Sequence, residues 1–201
     1  LRPLKHDVNA PRFVLPLEGL GVPARIEHDR VRTELETAAA IQRNLLPSRT
    51  PQPFPVVGCN VAARTVSGDL YDILPLEDGR ISFCLGDVSG KSMNASLLMA
   101  KTASLYRCLA KREASPARLL SALNQELVET TTRGMFVTLV AGLYDPQAGT
   151  VVVANAGHEP MLCEDAQGVF STLPADGPPL GILAETSFPE RTRSIRDGRL
   201  Y

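Results

Sequence analysis

The chain has 201 residues, 44% apolar and 21% charged, with a formal net charge of −1. That is the make-up of one good-sized soluble domain with an appendage, and it excludes a nucleic-acid partner held by a strong basic field. No apolar run reaches the ~20 residues that cross a bilayer, and the N-terminus lacks the basic, apolar, small order of a secretory signal.

Residues 1–24 hold prolines and glycine-flanked turns ("APRFVLPLEGLGVPA") without sustained periodicity. Residues 1–30 are therefore expected to be a linker or the tail of an upstream domain. In "EHDRVRTELETAAAIQRNLLP" apolar residues recur at Val31, Leu35, Ala38, Ile41 and Leu45. This predicts a helix over 31–47 with one apolar stripe, ended at Pro47. The stripe suits packing on its own domain or a short dimerising coil.

The domain proper is expected over 48–201. A proline-rich approach leads to a strand predicted at Val57–Arg64. Leu70–Leu76 and Arg80–Asp87 read as a hairpin turned by Glu77-Asp78-Gly79. Residues 92–110 read as a helix whose face is Met93, Leu97, Ala100, Ser104 and Cys108, thickened by Leu98, Leu105 and Leu109. Ser115-Pro116 opens a second helix carrying Leu119, Leu120, Leu123 and Leu127. Strands return in "MFVTLVAGLYD" and "TVVVANAGHEPMLCE", joined through "PQAG", with short ones near Val169–Leu173, Gly181–Leu183 and Arg193–Ile195. Parallel βαβ alternation is missing, so the expected class is α+β, mostly antiparallel sheets with helices on a sheet face. Cys59, Cys84, Cys108 and Cys163 are scattered in apolar stretches. They read as reduced core thiols, which favours a cytoplasmic protein.

Gly68-Asp69 and Gly86-Asp87 stand at predicted strand ends. Strand-end carboxylates can converge, and hard divalent cations take oxygen ligands. Glycine beside each aspartate lets backbone come close. Gly-Asp is also a common turn dipeptide, so spacing alone leaves two acidic turns open. His158, in "NAGHEP", reads as a turn histidine bonded to backbone ahead of a base or ligand. "GDVSGKS" is no phosphate-binding P-loop, since Leu85 stands where that motif needs glycine. No G-x-S-x-G elbow is present.

Six stretches in order, "AAAIQRNLLP", "VSGDLYDI", "LGDVSGKSMNASLLMA", "FVTLVAGLYD", "ANAGHEPML" and "GPPLGIL", resemble the stage II sporulation E/RsbU branch of the metal-dependent (PPM) protein phosphatases. The resemblance runs from about Glu34 onward. It implies an αββα sandwich of two packed antiparallel β-sheets flanked by helices, with an N-terminal linker helix associated with homodimerisation. It implies two Mn²⁺ or Mg²⁺ ions, bridged by Asp69 and Asp87, with Val88 offering its backbone carbonyl. The implied reaction is hydrolysis of phosphoserine or phosphothreonine by metal-activated water, the partner being a phosphorylated protein such as an anti-sigma-factor antagonist. The family pattern continues beyond a strand like "DGRLY" to two more metal-binding aspartates. A domain incomplete at its C-terminus, weakly active as given, is therefore expected. The rival expectation is a catalytically silent module that binds a regulatory protein.

Overall fold

The computed structural model describes residues 22–47, 55–61, 66–90, 93–131 and 134–201. Helix α1 spans Val22–Leu45 and runs unbroken through the boundary expected at residue 30. Strands β1 (Leu70–Pro75) and β2 (Ile81–Val88) form the predicted hairpin, followed by helices α2 (Met93–Ala110) and α3 (Pro116–Thr130). The remaining strands are β3 (Val137–Asp145), β4 (Thr150–Ala156), β5 (Met161–Glu164), β6 (Phe170–Leu173), β7 (Arg191–Ser194) and β8 (Arg199–Leu200).

They build two antiparallel sheets, one ordered β1-β2-β3-β4-β7 and the other β6-β5-β8. Side chains alternate across a strand, and the larger sheet uses both faces. Leu70, Cys84, Val88, Leu139, Ala141 and Ala154 pack against α2 and α3. Val140, Val151 and Val153 face the smaller sheet, meeting Met161, Cys163 and Leu173. Two packed sheets with a helical layer are thus present as expected. Among the described residues that layer covers the larger sheet only, and Leu162, Phe170 and Tyr201 lie exposed on the smaller one.

Helix α3 follows its sequence signals closely. Ser115 caps it by accepting from Arg118 N–H, proline opens its first turn, and the four predicted leucines are buried. Helix α2 does not. Its inward face is Ala95, Leu98, Met99, Thr102, Ala103 and Tyr106, while Leu97, Ser104 and Cys108 of the predicted face are exposed. Its apolar residues spread over more than one face, so the sequence left the phase open. Buried polar atoms are satisfied in place: Thr102 Oγ1 donates to the Leu98 carbonyl, and the Tyr106 and Ser82 hydroxyls share a bond of 2.7 Å.

Other expectations change. In α1, Val31 and Ile41 are exposed, and the buried positions are Ala39 and Gln42. A small alanine lets α1 approach α2 closely, which the bulkier stripe would not. Residues 55–61 form no strand, and 62–64 lie outside the described residues. Gly181–Leu183 is not a strand either; Leu180 makes a single bridge to Val137. Of the four free cysteines, Cys84 and Cys163 are buried but Cys59 and Cys108 are exposed. No helix among the described residues is long and apolar enough to cross a membrane.

Candidate metal centre

The β1–β2 register pairs Leu70 with Gly86, so Asp69, one residue before the strand, arrives across from Asp87. On the other side Asp87 pairs with Thr138 of β3. Alternation places all three on the face that carries Tyr71 and Leu85. There the sheet edge opens into a cleft of about 270 Å³ lined by Asp69, Asp87, His158, Cys59 and Asn60 among others.

Asp69 disturbs the Asp87 carboxyl across the strands. Burial first, and the negative charge of Asp69 second, push the Asp87 carboxyl above its usual range. A cation between them would relieve that repulsion. Gly68 adds a second sign of a built site. A Cβ there would sit 2.9 Å from the Val88 carbonyl oxygen and 3.0 Å from Asp87 Oδ1. Only glycine leaves these two oxygens free to share one spot. Two carboxylates and a carbonyl are the hard oxygen donors that Mg²⁺ and Mn²⁺ accept, with water filling the rest. Asp69, Asp87 and Val88 therefore fit the divalent ions expected of them. Among the described residues no group of three or more His, Cys, Asp or Glu is placed to hold an ion unaided.

Asp69 is held by a chain of contacts that the sequence reading missed. Ser67 Oγ donates to Asp69 Oδ2 at 2.9 Å and accepts the Asp69 N–H at 3.1 Å. Ser67 is in turn gripped by Gln42 of α1, whose Nε2 donates to the Ser67 carbonyl at 2.6 Å and whose Oε1 accepts the Ser67 N–H at 3.0 Å. Gln42 is 8% exposed, so its amide has no water to fall back on. The only sequence signal was a glutamine at the inner edge of an apolar stripe. Gln42→Ala should weaken Mn²⁺ binding by about 10-fold, the usual scale for a residue that orients a metal ligand. It should also cost about 1–3 kcal/mol by stranding the Ser67 peptide. Isothermal titration with Mn²⁺ and urea unfolding check the two effects.

His158 also departs from expectation. Its ring bonds a side chain, Thr138 Oγ1, at 2.9 Å, and it lines the cleft with the two aspartates. Burial holds its pKa below the ordinary histidine value, outweighing Asp87, Glu159 and Asp69. Lys91 and Ser92 lie outside the described residues.

The profile of the family described as stage II sporulation protein E (SpoIIE) matches residues 77–200. Protein IcfG of Synechocystis sp. is 29% identical over 198 residues, covering 84% of this chain and 31% of that protein. Phosphoserine phosphatase RsbU of Bacillus subtilis is 27% identical over 171 residues, covering 84% of this chain and 51% of that protein. The SiaA-PP2C domain of Pseudomonas aeruginosa superposes with a TM-score of 0.66 at 14% identity, over 84% of this chain and 69% of that one. The chain thus spans about half the length of RsbU and about a third of IcfG. The likeness to the SiaA domain bears on fold alone.

Proposed function

Because this chain belongs to the stage II sporulation protein E (SpoIIE) family, we propose that it is the hydrolytic domain of a metal-dependent protein phosphatase. The substrate is phosphoserine or phosphothreonine on a regulatory protein such as an anti-sigma-factor antagonist, and the setting is the cytoplasm. The observation that carries the reading is the facing pair Asp69 and Asp87 beside the Val88 carbonyl, kept open by Gly68. The name of RsbU, a phosphoserine phosphatase, supports the same chemistry.

Two carboxylates repel a phosphate dianion, so this cleft needs cations to admit one. Two Mn²⁺ or Mg²⁺ ions would supply that neutralisation and an activated water. The chain's own residues would do the holding: Asp69 and Asp87 through their carboxylates and Val88 through its carbonyl, while Ser67 and Gln42 fix the Asp69 carboxylate in direction. In this reading the phosphorus is attacked directly by water, with no covalent intermediate. A homodimer through α1 belongs to the same proposal, supported by the outward Val31 and Ile41 and checked by the light-scattering mass.

The test is phosphate release from a phosphoserine protein. Release is expected with Mn²⁺, to stop on adding EDTA, and to return when Mn²⁺ is restored. Turnover that persists in EDTA would count against the proposal.

A further inference from the structure

The cleft holds a third chemistry-bearing side chain to which the phosphatase reading assigns no part. His158 lies on the turn after β4, and that turn is built around it. Gly157 adopts φ 67°, where a side chain would also strike Pro179. Asn155 is 3% exposed and spends its whole amide on the turn. Its Oδ1 accepts the His158 N–H at 2.8 Å, and its Nδ2 donates to the His158 and Glu159 carbonyls at 3.3 and 3.2 Å.

The ring is oriented as firmly as its backbone. The Thr138 hydroxyl donates to the Asp87 carbonyl at 3.3 Å, and the same oxygen lies 2.9 Å from His158 Nδ1. A hydroxyl has one proton to give. With that proton turned to Asp87, Thr138 accepts from the histidine, so Nδ1 carries the hydrogen. The lone pair of the neutral ring is then on Nε2, which takes no hydrogen bond among the described residues. The charged groups around the ring are Asp87 of β2, Glu159 of its own turn and Asp69 before β1. None of them forms an ion pair with it among the described residues.

We propose that His158 is a further catalytic residue, accepting at Nε2 the proton of the attacking water. The inference rests on the phosphatase reading. As the water oxygen bonds to phosphorus, its proton passes to Nε2. The bond from phosphorus to the serine oxygen breaks, its electron pair stays on that oxygen, and solvent protonates it. The imidazolium returns its proton to water, leaving serine, inorganic phosphate and a neutral His158. A space-filling histidine would need neither a dedicated buried asparagine nor a tautomer set through threonine.

The experiment uses the protein as the cell makes it, with Mn²⁺ and a phosphoserine peptide. His158→Gln is expected to lower kcat by about 100-fold, with KM and Mn²⁺ affinity within twofold, and to flatten the acid limb of the kcat profile. Long-range ¹H–¹⁵N NMR is expected to show the Nδ1–H tautomer. Thr138→Val is expected to shift it toward Nε2–H and lower kcat with it. The proposal is overturned if His158→Gln keeps kcat within twofold, if its loss follows lost Mn²⁺ binding, or if the wild-type ring is Nε2–H. Should His158→Gln not fold, the tautomer and Thr138→Val decide. Turnover abolished by Asp87→Asn but kept by His158→Gln overturns the histidine's role alone. A wild-type protein without Mn²⁺-dependent turnover overturns the phosphatase reading and this inference together.

Discussion

Asp87→Asn is expected to cut Mn²⁺-dependent phosphate release by at least about 100-fold, the upper end of what losing even an outer-shell partner costs. The amide keeps the shape of the carboxylate but would offer a bound divalent ion one neutral oxygen in place of an anion. The same change should slightly stabilise the metal-free fold. Burial and Asp69 raise the Asp87 pKa in the folded state. A carboxyl so raised favours folding below its unfolded pKa, and that support is lost as pH rises through the folded value. At neutral pH the charged form therefore works against the fold, and asparagine removes the conflict. The residue is exposed at the cleft edge, so the gain is small, about 0.5 kcal/mol or less. Thermal melts in EDTA should place the variant above wild type at pH 7.5, with the gap closing towards pH 4. A variant less stable than wild type without metal would contradict the account of the pair.

Arg107→Ala should be the more damaging change for the fold. Asp72 lies on β1 with its side chain 3% exposed, and Arg107 of α2 grips it through Nε at 2.8 Å and an Nη at 2.6 Å. Asp72 Oδ1 also accepts the Ile73 N–H at 2.9 Å. Removing the guanidinium leaves a carboxylate between strand and helix with no counter-charge. Breaking such a pair costs about 3–5 kcal/mol, and the lower end applies because Arg107 is itself 43% exposed. Replacing both residues with leucine should recover most of the loss, since a well-packed apolar pair substitutes for a buried ion pair at little net cost. Urea midpoints of the single and double variants check this. A double variant as unstable as the single one would show that the pair sets strand–helix geometry rather than mere charge balance.

Asp72 and Asp69 show how far local pattern reaches. Both are aspartates at the start of one strand, and neither periodicity nor turn chemistry separates a buried structural carboxylate from a cleft-edge one. The Gly-Asp spacing marked Asp69 and Asp87 as candidates, and the resemblance assigned their role. Gln42 escaped, and His158 was read first as a turn histidine bonded to backbone, because their partners stand far along the chain: Ser67 for one, Thr138 for the other. Gln42 looked like an ordinary residue of its own helix.

The sequence by itself determined the features that depend on near neighbours. The Glu77–Gly79 turn, the Ser115 cap with its proline and the leucine face of α3 all rest on interactions within a few residues, and the antiparallel α+β class followed from the order of such elements. Tertiary structure decided which face of α2 turns inward, that α1 docks most tightly through Ala39 and Gln42 with only part of its apolar stripe, and that Asp69, Asp87 and His158 share one cleft. Those outcomes depend on strand register and on the shape of a distant partner surface. An apolar helix can present any face to a core, and a carboxylate at a strand end can meet its partner only once the strands have paired.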